Sequence, residues 1–121
     1  MPYFAFRRRY AAMTTGETSR TLSKLFAQVG ECHEDRSAAV ALVVQDLHGG
    51  KLWARKVTYK DGRASHLHFL VVLPSGEPFD FASTKLTPPV TIHPAEPATR
   101  DDVIAAAGDT YGQLRDALTD R

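Results

Sequence analysis

Three side chains have types and spacing that suit a site with a nucleophile, a base and a carboxylate. Ser37 falls in the first turn of an apolar helical segment, His68 in the middle of an alternating strand, and Asp80 on the next strand. A hydroxyl at a helix N-terminus, an imidazole base and a carboxylate that orients the base are the parts that acyl transfer needs. The sequence therefore offers these three as candidate catalytic residues.

Other side chains point to different chemistry. His66 and His68 share one face of a strand, as ligands of zinc and iron sites do, but no third ligand stands at a specific spacing. We therefore expect no metal and no other cofactor. Cys32 lies five residues before Ser37 and is expected to be a loop cysteine rather than a substitute nucleophile. The Arg7–Arg9 run lies between aromatic residues, and is more typical of a solvated arm than of a nucleic-acid site.

The elements that must position these residues begin with two helices. Apolar spacing predicts a first helix that starts at Thr18 or Ser19 and ends at Gly30. A second helix is predicted over residues 36–48, with Asp35 as its N-cap and two glycines after it. Because the middle of the second helix is apolar on every side, we expect it at the centre of the domain.

A sheet and a C-terminal helix follow. Alternating apolar residues predict three antiparallel strands, over residues 51–59, 64–73 and 78–82. The segment 86–97 contains four prolines and is expected to be irregular. Thr99 and Asp102 form a capping box for the last helix, which Gly108 divides. The sequence thus predicts an α+β fold, with a buried central helix on a small antiparallel sheet, flanked by N- and C-terminal helices.

Size and composition limit the classes of protein. The chain has 121 residues, of which 43% are apolar and 24% charged, with a net charge of +1. These values predict one globular domain and no bulk attraction to nucleic acid or membranes. We place the domain at residues 18–121, because residues 1–17 have an irregular pattern and are expected to form an N-terminal arm. The single cysteine excludes an internal disulfide, and no apolar run approaches the ~20 residues of a membrane span. We expect a cytoplasmic protein.

Three stretches of the sequence resemble the YunG-like family of small bacterial proteins. They are SAAVALVVQDLHGGKL from Ser37, PSGEPFDFASTKL from Pro74 and YGQLR from Tyr111. The resemblance implies an α+β fold with a papain-like layout. In that family, a cysteine at the start of the buried helix and a histidine on the strand are candidates for a thiol catalytic pair.

The chain departs from the family pattern at the nucleophile. The family cysteine falls on Ser37 and the preceding glutamine on Arg36, whereas the histidine and aspartate fall on His68 and Asp80. A serine hydroxyl cannot be ionised near neutral pH as a thiol can, so the exchange removes most thiol-type activity. The resemblance therefore implies a catalytically degenerate domain that acts as a small binding or regulatory protein.

Two alternatives to this function remain. The first is a hydrolase or acyl transferase that uses a Ser37–His68–Asp80 triad, and the second is a small inhibitor of another protein from a mobile element. For a binding protein, we expect a cleft between the Ser37 helix end and the His68 strand. Arg36, His66 and Trp53 are then the binding residues, and the partner is a protein or a small anionic ligand held at the helix N-terminus.

Overall fold

A computed structural model of the chain describes residues 14–25, 34–62, 64–80 and 90–119. Those residues form four helices, which are α1 (Thr15–Leu25), α2 (Glu34–His48), α3 (Arg100–Ala107) and α4 (Asp109–Thr119). They also form five strands, which are β1 (Lys51–Tyr59), β2 (His66–Val72), β3 (Pro78–Phe79), β4 (Val90–Ile92) and β5 (Glu96–Pro97). Two helices precede the sheet and two follow it, which confirms the predicted α+β class.

The sheet is antiparallel and is built on β1 and β2. Its order is β3-β2-β1-β4, and β5 also pairs with β1. Both β4 and β5 lie on the edge of β1 that faces away from β2, one at each end of that strand. On the other side, β3 pairs only with Val71 and Val72 of β2. The first half of β2 therefore has no strand neighbour on its outer edge among the described residues.

Helix α2 is the centre of the core, as predicted. Every residue from Ser37 to Val44 is buried. One side of α2 packs on β2, and α3 and α4 pack on the rest of its surface. The sheet presents Leu52, Phe69 and Val71 to this core. Full burial of a valine, leucine or phenylalanine side chain stabilises a fold by about 1.5–3 kcal/mol, so these contacts hold α2 in place.

The predicted starts of the first two helices were wrong. Helix α1 begins inside the predicted arm, because Thr14 Oγ1 accepts a hydrogen bond from the Glu17 amide at 3.1 Å and so caps the helix. Thr18 is instead buried within α1. Helix α2 begins at Glu34, and Asp35 lies inside it, where its carboxylate accepts a hydrogen bond from Thr110 at 2.6 Å. Capping residue types also occur inside helices when a neighbouring element supplies a partner.

The C-terminal half agrees with the capping prediction and differs in the proline-rich segment. Thr99 caps α3 by accepting a hydrogen bond from the Asp102 amide at 3.2 Å, and Gly108 separates α3 from α4. The described part of the segment expected to be irregular, residues 90–97, contains β4 and β5 instead, because the edge of the long strand β1 offers hydrogen-bonding groups to both. Residues 86–89 of that segment lie outside the described residues. No helix among the described residues is long and apolar enough to cross a membrane.

Candidate functional site

The predicted base and carboxylate lie in contact. His68 Nε2 is 2.5 Å from Asp80 Oδ1, and Asp80 Oδ2 is 3.2 Å from an Arg55 guanidinium nitrogen. Arg55 is the register partner of His68 across β1 and β2. The carboxylate accepts, so the neutral imidazole carries its proton on Nε2. We call these three side chains the His68 cluster.

The free nitrogen of His68 is buried without a partner. The side chain is 1% exposed, and Nδ1 makes no hydrogen bond among the described residues. An imidazole oriented by a carboxylate, with its second nitrogen unpaired, has the electronic arrangement of a general base. In the described part of the chain, no group forms a hydrogen bond with Nδ1 and could act there as the reacting group.

Ser37 is held elsewhere. Its hydroxyl donates to the backbone carbonyl of Glu34 at 3.0 Å and accepts from the Phe69 amide at 3.2 Å. No hydrogen bond joins Ser37 to His68. Successive side chains of a strand point to opposite faces, so Phe69 faces α2 while His68 lies on the other face of the sheet. The structure thus brings together His68 and Asp80 of the predicted triad, and not Ser37.

The contact between Ser37 and Phe69 has a structural cause. The outer edge of the first half of β2 lacks a strand neighbour, and two side chains of α2 bond to it. Glu34 Oε1 accepts from the Leu67 amide at 2.8 Å, and Ser37 Oγ accepts from the Phe69 amide. A buried amide left without an acceptor costs about 1–3 kcal/mol, so the first turn of α2 stabilises this edge. The three-residue spacing of Glu34 and Ser37 was the sequence signal that they share one helix face.

The predicted binding residues do not share a surface. Arg36 lines a groove of about 400 Å³ between α2 and α4, together with Asp35 and Gln113. His66 and Trp53 lie on the sheet face that points away from α2. Ser37 is 1% exposed and forms a hydrogen bond with the β2 backbone. The start of α2 and β2 are therefore in direct contact, at the place where a cleft was expected.

Sequence reasoning missed a second polar cluster, which joins α2 to α3 and α4. Asp46 is 3% exposed and accepts hydrogen bonds from Arg100 at 2.9 Å and from the Tyr111 hydroxyl. Arg100 also donates to Gln45 Oε1 at 2.5 Å. We call these four residues the Asp46 cluster. Its signal in the sequence was the pair Gln45-Asp46 directly after an apolar run, because a polar side chain there must find a buried partner.

The electrostatics of the Asp46 cluster keep Tyr111 protonated. Burial first, and then the hydrogen bond to the Asp46 carboxylate, raise the pKa of Tyr111 to about 12, although Arg100 acts in the opposite direction. Burial is the largest single influence on the pKa of Arg100 and acts to lower it, but the charges of Asp46 and Tyr111 and the hydrogen bonds to both side chains together outweigh burial and raise that pKa. The cluster is therefore an ion pair with a neutral phenol donor. It can fix the C-terminal helices on α2 but offers no group for proton transfer near pH 7.

An open groove of about 700 Å³ lies between the sheet and α3, and no α2 residue is among the described residues that line it. We call it the sheet–α3 groove. Its lining combines apolar and charged side chains, including Ala54, Lys56, Leu67, His93, Glu96 and Asp102. Sequence reasoning missed it because one wall belongs to the proline-rich segment that was expected to be irregular.

In the described part of the chain, no group of three or more His, Cys, Asp or Glu side chains is placed to hold a metal ion. His66, one half of the predicted histidine pair, lies beside Tyr59, with the hydroxyl 3.4 Å from His66 Nδ1. Cys32 and Arg7–Arg9 lie outside the described residues.

Comparison with known proteins gives one family. The model of the family described as YunG protein matches residues 5–121, which include all four helices and all five strands. This match confirms the resemblance that the three sequence stretches indicated. No curated protein and no solved structure matches the chain.

Proposed function

We propose that this chain, which belongs to the YunG family, is a catalytically degenerate member that acts as a small binding or regulatory protein. The observation that carries the proposal is the position of the Ser37 hydroxyl. It donates to one backbone group and accepts from another, and it is 1% exposed. A hydroxyl used in this way stabilises a strand edge and is not poised to attack a substrate.

The separation of Ser37 from the imidazole of His68 supports the same proposal. A serine nucleophile needs a partner that removes its proton during attack, and an oxyanion hole beside it. The Ser37 hydroxyl donates its hydrogen bond to the Glu34 carbonyl, and His68 lies on the other face of the sheet. In this proposal the chain keeps the papain-like layout of a thiol site but has lost the thiol, and His68 and Asp80 form a structural pair.

The proposal includes a place of action in the cytoplasm of a bacterial cell. The single cysteine of the chain supports it, because small domains in oxidising compartments are usually stabilised by several disulfides.

A serine-reactive fluorophosphonate probe tests the proposal. The purified chain is incubated with the probe, digested and analysed by peptide mass spectrometry, with Ser37→Ala as the matched control. We expect no adduct on Ser37 and equal labelling of the two proteins. An adduct on the peptide that contains Ser37, absent from Ser37→Ala, would overturn the proposal and assign a nucleophile.

One observation favours a second candidate, the hydrolase or acyl transferase. The His68 cluster keeps an oriented imidazole with an unpaired Nδ1. This candidate requires the first turn of α2 to release Ser37 from Phe69. Ser37→Cys in a Cys32→Ser background tests that movement: rapid alkylation by iodoacetamide at pH 7 supports the enzyme, and an inert thiol supports the binding protein.

A further inference from the structure

We propose that the sheet–α3 groove binds short apolar peptides that have a free amino terminus and a free carboxyl terminus. This inference rests on the proposed function, since it names a ligand class for the binding protein. It is argued from the position of the groove, its apolar floor and the signs of its charges.

The groove is a consequence of how the helices cover the sheet. Helix α2 packs on the face of the sheet at Leu52 and Val71, and α3 contributes Asp102 and Ala106 to the lining of the groove. The space between them measures about 700 Å³. Sites for small organic ligands usually enclose about 300–1,000 Å³, so the groove has room for two or three amino-acid residues.

The floor and one wall of the groove are apolar and rigid. Ala54 and Leu67 form part of the floor, and Leu67 is 42% exposed, which is unusual for a leucine within a strand beside the core. Pro94 and Pro97 stand in the wall, and their fixed backbone dihedral lowers the entropy that ordering on binding would cost. An apolar ligand side chain that covers Leu67 would remove this surface from water.

Charges of both signs surround that floor. Lys56 projects from β1, Glu96 from β5 and Asp102 from the first turn of α3. No ion pair joins any of these three to another described residue. His93 adds an imidazole beside Lys56, where its ring bonds to Thr58.

The arrangement is complementary to a ligand with one ammonium group, one carboxylate and an apolar body. The carboxylates of Glu96 and Asp102 suit the ammonium group, and the Lys56 ammonium suits the carboxylate. A short peptide of apolar residues carries all three features. Because the ion pairs are exposed and each contributes little, we expect a Kd on the order of 0.1–1 mM for a dipeptide.

The test is an NMR titration of the ¹⁵N-labelled full chain with dileucine. Two blocked forms of the probe remove one charge each: N-acetyl-dileucine lacks the ammonium group, and dileucine amide lacks the carboxylate. Resonances of residues that line the groove are expected to shift with dileucine, and each blocked form is expected to bind about 2- to 5-fold more weakly.

Charge-neutralising variants assign each charge of the ligand to its partner. Lys56→Gln should weaken dileucine about 2- to 5-fold and leave the binding of dileucine amide unchanged. Asp102→Asn should weaken dileucine by a similar factor and leave N-acetyl-dileucine unchanged. The matched control is Asp101→Asn, because Asp101 is the exposed neighbour of Asp102 on α3 and does not line the groove.

The absence of shifts in the groove at 10 mM dileucine would overturn the inference. Equal affinities for the free and blocked probes, with no effect of Lys56→Gln, would equally refute it. These outcomes do not test the proposed function, which is tested separately by the labelling of Ser37. If Ser37 is not labelled and the groove resonances do not shift, the proposed function stands and the peptide ligand is refuted.

Discussion

Replacing Tyr111 by phenylalanine is expected to destabilise the fold by about 2 kcal/mol. The change removes one oxygen atom, keeps the ring and leaves the net charge unaltered near pH 7. That oxygen donates to the buried Asp46 carboxylate and accepts from Arg100 at 3.1 Å. A hydrogen bond to a charged group contributes about 1.5–3 kcal/mol, and the carboxylate of Asp46 has little access to water that could replace it.

The expected magnitude converts into a thermal shift. A chain of 121 residues has an unfolding entropy of about 0.25 kcal/mol/K near 60 °C. A loss of 2 kcal/mol therefore lowers Tm by about 8 °C. Urea unfolding followed by circular dichroism gives the free energy of unfolding directly, and differential scanning calorimetry gives Tm.

The pH dependence of the same variant adds a second check. The pKa of Tyr111 is raised to about 12 in the folded chain, whereas an unfolded tyrosine ionises near pH 10. Above pH 10 the unfolded state loses this proton first, so the contribution of Tyr111 to stability is complete below pH 10 and is lost as the pH rises towards 12. The difference in stability between the wild type and Tyr111→Phe should shrink over that range.

The matched control is Tyr59→Phe. The Tyr59 hydroxyl lies 3.4 Å from His66 Nδ1, a long contact compared with the hydrogen bonds of Tyr111, so its loss should cost less than about 1 kcal/mol. A cost below about 0.5 kcal/mol for Tyr111→Phe, or a cost equal to that of Tyr59→Phe, would refute the reasoning. Either result would mean that the Asp46 cluster does not hold α4 on α2.

Two further predictions concern a glycine and a histidine. Gly50→Ala should lower the free energy of unfolding by about 1–3 kcal/mol more than Gly62→Ala, measured by urea unfolding. Both glycines have positive φ, but only at Gly50 would an added Cβ lie 2.4 Å from the Val72 carbonyl oxygen. Burial lowers the pKa of His48 below its usual 6.5, so the unfolded chain binds this proton first and stability falls as the pH drops through 6.5. Between pH 7.5 and 5, His48→Gln should lose less stability than the wild type, measured by urea unfolding at each pH.

Most of the fold could be predicted from patterns within single segments. The apolar run of α2 indicated a buried central helix, and alternation indicated β1 and β2. The starts of α1 and α2 could not be predicted, because Thr18 and Asp35 have capping chemistry but find tertiary partners in His48 and Thr110. A rule based on residue type cannot distinguish the two uses of the same oxygen.

The candidate site was less predictable than the fold. The pairing of His68 with Asp80 follows from neighbouring strands, which the sequence indicated. The role of Ser37 depends on the short length of β3, which leaves an edge of β2 for α2 to fill, and no local pattern encodes that length. Several residues of the stretch SAAVALVVQDLHGGKL, which indicated the family, have structural roles. Gln45 and Asp46 bind Arg100, and Gly50 lies against the β2 backbone.

Amide hydrogen exchange at Phe69 tests the central claim most directly, namely that the Ser37 hydroxyl serves the β2 edge and not chemistry. We predict that Ser37→Ala raises the exchange rate of the Phe69 amide by about tenfold, the equivalent of one net hydrogen bond. The Leu67 amide, which bonds to Glu34, is the internal control and should keep its rate. Unchanged protection of Phe69 in Ser37→Ala would contradict the account and leave the hydroxyl free for another role.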